Sequence, residues 1–586
     1  MNKPAEQQGL SLLSIDVGSV NTRALFFDTV EGRYRFLAAG EAPSTAGAPA
    51  FDMNVGVLDA LEQLQEFIGR TLVSDQGLLI SPDNEADVGA NAVTATFSGG
   101  PPIKVVTVGL LGEVSLDSVN KLVTSTHCHI VESLSLNDRR KPEHIIDAIC
   151  RKLPDLIVLA GGTNRGASRS VVRLANYLAL ALNLIPQGQR PPVLFVGNEN
   201  LNEEIDTLLG ALTKLHRAPN IRPNLDQESL GPAKQQLDEM YFNIQARKQR
   251  GLQELRNLAE GQFLTSSTAL GRVVRFLSTV IDAPKGMLGV DLGAAHTTVA
   301  AAFGGELQQR VFPELGVGSS LGGMIAETHL TQIVRWIPYD VSEDFVLNYL
   351  HNKPLFPQTL PTSPEELAVE QAAARQVMRL AIGKSLPLFP PSAIYPLPGT
   401  VPWFDRILVS GSAVARAPRP EQSLMMILDA IQPVGIATII LDQNNLVGAV
   451  GASAQIDPLL AVHILESNAF MNLGTIITPV GKARGGTLLR IQMTSEGQKQ
   501  PVVDVQGGGL QVIPLPLGKA VDLYVQPLQN VNIGLGPGRG GWVRRVVGGA
   551  FGLIIDARGR PVQVPVPFNN RLETLKAWQE ALGAVE

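Results

Sequence analysis

The chain has 586 residues, too many for one hydrophobic core, so two to four domains are expected. Its net charge of −6, from 48 basic and 54 acidic side chains, gives no electrostatic footprint for nucleic acid. Two cysteines, Cys128 and Cys150, exclude a disulfide framework or a CxxC metal site and suit a reducing cytoplasm. The opening MNKPAEQQGL reads as a short polar tail rather than a signal peptide. No uninterrupted apolar run reaches the ~18 residues of a membrane span. The most apolar helix, over 171–184, is broken by Arg173 and Asn176, so a soluble protein without a transmembrane segment is expected.

The first informative stretch is LLSIDVGSVNTRALFFD, residues 12–28. An apolar run stops at Asp16, a small polar turn with Gly18 and Ser19 follows, and a second apolar run starts at Ala24. This predicts two antiparallel strands joined by a tight turn. Backbone N–H groups freed of side-chain bulk by Gly18 can converge on an anion, with Ser19 and Thr22 hydroxyls as further donors. Asp16, at the strand end, is placed to hold a hydrated divalent cation. Residues 36–42 read as a third strand, 55–68 as a helix with Leu58, Leu61, Leu64 and Ile68 at helical spacing, and 92–97 as a strand.

From 104 to about 215 strands and helices alternate: strands at 105–111, 130–136, 156–160 and 193–196, helices at 115–124, 144–153, 168–184 and 202–215. Near-continuously apolar strands in this order predict a doubly wound parallel sheet. Gly161, Gly162, Thr163 and Asn198 close two of its strands, where ligands often bind, although tight strand-to-helix turns need the same residues. His127 and His129 alternate on a strand with no third ligand nearby, which is not the pattern of a metal site. Residues 235–260 carry a helical pattern broken at Gly251 and read as a connector.

The first signature then returns. Residues 287–303, MLGVDLGAAHTTVAAAF, run through an apolar strand into Asp291, then Gly293, Thr297 and Thr298, then another strand. Two such hairpins about 275 residues apart indicate an internal duplication, two related halves facing one another. Here the sequence resembles the actin, Hsp70 and sugar-kinase superfamily of ATPases. The resemblance implies that the first hairpin meets the β-phosphate side of a nucleotide, the second the γ-phosphate side, and the strand ending Ser410-Gly411-Ser412-Ala413 the adenosine. Ser363-Pro364-Glu365-Glu366 combines an N-cap serine, proline at the first position and glutamate at the third, so a helix is expected from there to about Ile382. Residues 422–430 read as the helix after the adenosine loop.

Beyond about Ala469 short strand-like runs with Gly, Pro and Asn punctuation predict an all-β module, with 556–559 as a hairpin turn and a final helix over 571–582. Gly534 to Gly541 lacks the Lys-Ser/Thr end of a phosphate loop and no helix follows, so it reads as a turn. The expected architecture is α/β: a first actin-like (RNase H-like) half over 1–103, an inserted Rossmann-like domain over 104–216, a helical connector over 217–283, a second half over 284–468 and a C-terminal β-rich module over 469–586.

Five motifs narrow the resemblance: AGGTNRG from Ala160, FVGNENLNEEI from Phe195, VDLGAAHTTV from Val290, ELGVGSSLG from Glu314 and APRPEQSLMMILDAIQPVGI from Ala417. In this order, over about residues 10–460, they resemble the MutL-type accessory protein family of glutamate mutase, unrelated to the mismatch-repair protein of the same name. That resemblance implies ATP with Mg²⁺, Asp16 and Asp291 as the catalytic and metal-holding carboxylates, and Gly18, Ser19, Thr22, Arg23, Gly293, Thr297, Gly411 and Ser412 around the nucleotide. It also implies a protein client, a cobalamin-dependent mutase, on which the chain acts as chaperone or reactivation factor. No Asp-x-His-x-x-Gly cobalamin signature is present, so the chain is not expected to carry that cofactor. Three positions depart from the family pattern: Arg23 for lysine, Thr298 for aspartate and Ser412 for a second glycine. They favour nucleotide binding over hydrolysis, and the alternative is a non-hydrolysing or polymerising actin-like scaffold that self-associates through 469–586. A small-molecule kinase ranks third, because no substrate base can be named.

Overall fold

In the computed structural model, residues 10–74, 80, 88–281, 285–481, 486–495, 497–565 and 567–583 are described; the polar tail up to residue 9 lies outside them. Four strands come first: β1 (Leu12–Val17), β2 (Asn21–Val30), β3 (Arg33–Pro43) and β4 (Ala92–Phe97). β1 runs antiparallel to β2, β2 to β3, and β1 parallel to β4. Leu12, Leu25 and Phe27 face one side of this sheet, and Leu13, Ile15, Val17 and Phe26 the other. Because both faces are buried, the runs are continuously apolar rather than alternating. The Met53–Ile68 helix covers the second face, capped by the Asp52 carboxylate at its N-terminus and by left-handed Gly69 at its end.

Five strands of the next segment, β5 (Ile103–Val108), β6 (Cys128–Leu134), β7 (Leu156–Leu159), β8 (Val193–Phe195) and β9 (Leu215–Arg217), form an all-parallel sheet in the order β6-β5-β7-β8-β9. The helix expected over 202–215 stops at Gly210, and β9 follows as a fifth strand. The stretch expected as a connector returns to the first half. Its Gly231–Gln245 helix buries Leu237, Met240 and Tyr241 in the first-half core, and β10 (Phe263–Thr265) pairs parallel with β4.

The second half begins with β11 (Gly286–Leu292), β12 (Thr297–Phe303), β13 (Glu306–Phe312), β14 (Phe404–Ser410) and β15 (Gly435–Leu441). Its order, β13-β12-β11-β14-β15, repeats β3-β2-β1-β4-β10 with the same senses: an antiparallel meander of three strands, then two parallel additions. This repetition is the duplicated actin-like fold. The Pro364–Ser385 helix, capped by the Ser363 hydroxyl, and the Pro420–Ile431 helix cover one face of the second sheet.

The C-terminal strands are β16 (Met471–Thr478), β17 (Thr487–Ser495), β18 (Gln498–Lys499), β19 (Val503–Gln506), β20 (Leu510–Ile513), β21 (Ala520–Pro527), β22 (Gly541–Val547) and β23 (Leu553–Asp556). β16, β23 and β20 extend the second-half sheet beyond β15; β17, β18, β19, β21 and β22 make a separate antiparallel sheet. Ile477, Leu553 and Ile555 of the long sheet meet Leu489, Ile491 and Leu523 of the small one in a common core. Residues 534–541 form a turn in which Gly534 and Gly536 donate backbone N–H groups to the Asn532 side chain at 2.8 and 3.0 Å. The expected hairpin turn at 556–559 is corrected. Among the described residues no strand follows Asp556; the chain turns inward through buried Arg558 and continues into the Phe568–Ala581 helix, because the Arg558 charge has buried carboxylate partners. Among the described residues no helix is long and apolar enough to cross a membrane.

The halves meet on a shared core of Leu12, Leu25 and Phe27 from the first sheet with Met287, Ala300 and Leu408 from the second. Between them lie the Ser266–Ser278 helix and the Val447–Ser453 helix. They cross so closely that a Cβ at Gly451 would lie 2.2 Å from the Ala269 carbonyl oxygen. Gly451→Ala gains roughly 1 kcal/mol of helix propensity but overpacks backbone at a cost of about 1–3 kcal/mol. The variant is expected to unfold at lower denaturant concentration than wild type, and an unchanged or raised midpoint would contradict this packing.

Candidate functional site

The first two strands of each meander are joined by a tight turn, and both turns open into one cleft between the halves, of about 1440 Å³. In the first, the Gly18 N–H donates to the Asn21 carbonyl at 3.0 Å, and a Cβ on Gly18 would sit 2.9 Å from that oxygen. In the second, the Gly293 N–H donates to the His296 carbonyl at 3.0 Å, and a Cβ on Gly293 would sit 2.7 Å away. The glycine-rich segment after β13 buttresses this second turn: Val317 and Gly318 donate to the Gly293 and Ala294 carbonyls. Gly411, at φ +107°, passes 2.2 Å (as a built Cβ) from the Leu292 carbonyl, so the third loop can cross the end of β11 only as glycine.

Strand register decides which predicted side chains reach the cleft. Asp16 pairs with Arg23 and Val17 with Thr22; since cross-strand partners share a face, Asp16 and Arg23 face the cleft while Thr22 joins Val17 in the interior. In the second hairpin Asp291 again faces the cleft, but its partner Thr298 is buried and does not line it. Asp291 pairs with Thr298 and buried Leu292 with Thr297, whose hydroxyl donates to the Leu315 carbonyl at 2.8 Å. Of the residues named from sequence, Asp16, Gly18, Ser19, Arg23, Asp291, Gly293, Gly411 and Ser412 line the cleft. Thr22 and Thr297 do not.

The electrostatics of the two carboxylates differ. Asp16 accepts from the Thr96 hydroxyl at 2.6 Å and pairs with Arg23 at 3.5 Å. Asp291 has no hydrogen-bonded cation; burial pushes its carboxyl up to about 7, and the negative Asp16 and Asp442 add to the shift. Asp442 is itself buried and accepts from the Leu446 and Val447 backbone and the Ser410 hydroxyl, tying the start of the Val447–Ser453 helix to the end of β14.

Arg23 also bridges the halves: it donates to the Ser412 hydroxyl at 2.7 Å and pairs with Glu41 at 3.4 Å, and Glu41 pairs in turn with Arg416 of the second half. The two departures at positions 23 and 412 are thus partners across the cleft.

Sequence reasoning missed several lining residues. Lys353 lies buried against Glu370 at 2.6 Å, and Arg375 against Asp429 at 2.8 Å. Trp336 and Gln371 line the cleft too, with the Trp336 indole N–H and the Gln371 amide nitrogen themselves buried and without a protein partner. None sits in a glycine-punctuated motif. The unpaired donors, the glycine cradles and the pair of carboxylates suit a large anionic ligand with a hydrated cation, and no group of three or more His, Cys, Asp or Glu is gathered as a metal cluster among the described residues.

The other candidates have structural roles. At φ +147° and +73°, Gly161 and Gly162 make a tight turn, and a Cβ on Gly161 would press on Leu110 at 3.0 Å. Asn198 accepts from the Asn200 backbone N–H within the same turn system. His129 is exposed, whereas His127 is buried with its ring 4.3 Å from that of His296. Burial holds His296 down to about 4 and His127 well below the ordinary range, so this contact between the second turn and the inserted domain is between neutral rings.

A family model described as MutL protein matches residues 12–469. No curated protein matches the chain. Solved structures similar to it include a nucleotide-free acetone carboxylase (12% identity, 85% of this chain and 81% of that chain covered, TM-score 0.30). Component A of (R)-2-hydroxyglutaryl-CoA dehydratase from Acidaminococcus fermentans matches at 9% identity, 76% and 97% coverage and TM-score 0.26. A nucleotide-free diol dehydratase-reactivating factor matches at 10% identity, 78% and 99% coverage and TM-score 0.29. At such scores the superpositions add nothing to the strand order above.

The Asp291 carboxyl has a testable consequence. Its folded-state value, about 7, lies above the ordinary 3.8, so the folded protein binds the proton more tightly than the unfolded chain does. Its contribution to stability is fully present below about pH 4 and is lost as pH rises through about 7. Without divalent cation or nucleotide, Asp291→Asn is expected to flatten the fall in unfolding midpoint between these values and to exceed wild type in stability above pH 7. Parallel pH profiles for the two proteins would refute this assignment.

Proposed function

The chain belongs to the MutL protein family, and from that premise we propose that it binds Mg-ATP between its halves and converts nucleotide state into a change of grip on a protein client. The observation that carries this reading is the symmetry of the cleft: Asp16 and Asp291 occupy equivalent ends of β1 and β11, each beside a glycine turn, and both line one cavity. When bound, Mg²⁺ supplies positive charge to the phosphates and orders water, and Asp16 and Asp291 are the carboxylates that would hold it. The backbone N–H groups around Gly18 and Gly293 and the Ser19 hydroxyl hold phosphate oxygens. Arg23 supplies a cation, already oriented by Asp16, Glu41 and Ser412. Asp291, at the end of β11 beside the second turn, would orient an attacking water for in-line displacement. Such phosphoryl chemistry rests on positioning and charge rather than covalent steps. Arg23 and Arg416 bridge the halves where phosphates would compete for them, so nucleotide binding and cleft closure are coupled.

The family resemblance supplies the client class, a cobalamin-dependent carbon-skeleton mutase, for which the chain acts as chaperone or reactivation factor. Purified protein with Mg²⁺ is expected to bind ATP and release phosphate slowly. Asp16→Ala and Asp291→Ala are each expected to lower phosphate release by about 10²-fold or more with the fold intact by circular dichroism. ATP binding without release in wild type would instead favour the non-hydrolysing scaffold. No ATP binding at all would sink the nucleotide reading.

A further inference from the structure

The cleft is longer than its two phosphate-type turns require. Ligand pockets commonly occupy roughly 300–1,000 Å³, whereas this one reaches about 1440 Å³, and its far wall comes from the Phe568–Ala581 helix. That helix buries Leu575, Trp578 and the following Leu582 against the second-half core. The adjoining stripe, Phe568, Leu572, Lys576 and Gln579 at i, i+4, i+8 and i+11, lines the cleft. Trp336 and Gln371, whose buried nitrogen donors lack acceptors, line the same cavity.

The helix is also fixed to the cleft wall. The Arg558 guanidinium lies over the Trp578 ring at 4.7 Å and pairs with Asp429 at 2.7 Å, and Asp429 pairs with the cleft-lining Arg375 at 2.8 Å. All of this lies beyond residue 469, where the family match ends, except the 375–429 floor to which the helix is anchored.

We propose that the C-terminal helix is the base-and-ribose wall of the cleft. The apolar side chains of Phe568 and Leu572 cover one face of a heteroaromatic base, in the cavity that Trp336 and Gln371 also line. This rests on the reading of the cleft as a nucleoside triphosphate site and adds to it that residues outside the family segment decide how tightly the nucleoside part is held. The helix then distinguishes ATP from inorganic polyphosphate, which meets only the two turns.

Calorimetric titration of the full chain with Mg-ATP and, separately, with Mg-tripolyphosphate tests this. Leu572→Glu puts a carboxylate into the wall and is expected to weaken ATP binding by about tenfold or more, with tripolyphosphate affinity within about twofold of wild type. Phe568→Ala, a milder change at the cleft rim, is expected to act in the same direction. Glu573→Ala, on the exposed side of the helix, is expected to change neither affinity. Wild-type ATP affinity in both Leu572→Glu and Phe568→Ala overturns the proposal. So does an equal loss of both ligands in these variants, or a matching loss in Glu573→Ala. Failure of wild type to bind either ligand overturns the underlying nucleotide reading, and the wall with it.

Discussion

The close crossing of the Ser266–Ser278 and Val447–Ser453 helices sets the geometry on which the rest of the molecule depends. All seven residues of the second helix are buried, and Gly448 and Gly451 bring its backbone against the Thr96 side chain and the Ala269 carbonyl. Larger residues would hold the two sheets apart at their base, and the cleft above would no longer bring Asp16 and Asp291 into one cavity. Gly448 lines the cleft and approaches Thr96, whose hydroxyl holds Asp16. The contact that joins the halves is therefore also the floor that positions the first carboxylate. A shift of one helix along the other, which small residues permit, would be felt directly at that carboxylate.

Above the floor, the balance of charge is uneven. Arg23 is shared among Asp16, Glu41 and Ser412, whereas Asp291 faces other carboxylates without a cation of its own. The first half is thus electrostatically satisfied before any ligand arrives, and the second is left needing a proton or a cation. Arg23 in place of lysine matters here. A planar guanidinium has enough donors to reach Asp16, Glu41 and Ser412 together, which a single ammonium on a flexible stem does less readily. Ser412 in place of glycine supplies the acceptor. Read as a pair, the two departures build a link between the halves.

Much of this was legible because local chemistry and global fold agree at the same residues. An aspartate followed by glycine at the end of an apolar strand marks both a turn and a site, and it occurs twice, so the duplication, both carboxylates and the glycines of all three loops could be read directly. Thr22 and Thr297 could not be placed, since a hydroxyl next to a turn looks the same whichever face it occupies; pairing with Val17 puts Thr22 in the interior, and the Thr297 hydroxyl is held inward by the Leu315 carbonyl. β9 and β10, three residues each, are too short to show a period, which is why a fifth strand was missed and the return to the first sheet was read as a connector. Arg558 was read as a turn residue because nothing local announces that one of its carboxylate partners, Asp429, lies on a helix 129 residues earlier in the chain.

Those partners show how the C-terminal region is joined to the rest. Asp429 and Asp556 have no exposed side-chain surface, and they hold Arg375, Arg558 and Arg560, with Asp429 accepting from two guanidiniums at once. Burial alone would raise the Asp556 carboxyl, but Arg558 and Arg560 beside it hold it well below the usual range. Removing one member of such a buried set leaves an uncompensated charge and typically costs about 3–5 kcal/mol, whereas an appended module needs no such commitment. The strands say the same: β16, β23 and β20 continue the second-half sheet instead of starting a new one. Because Arg375 belongs both to this network and to the cleft wall, the C-terminal region is joined to the cleft through buried ion pairs rather than through a linker.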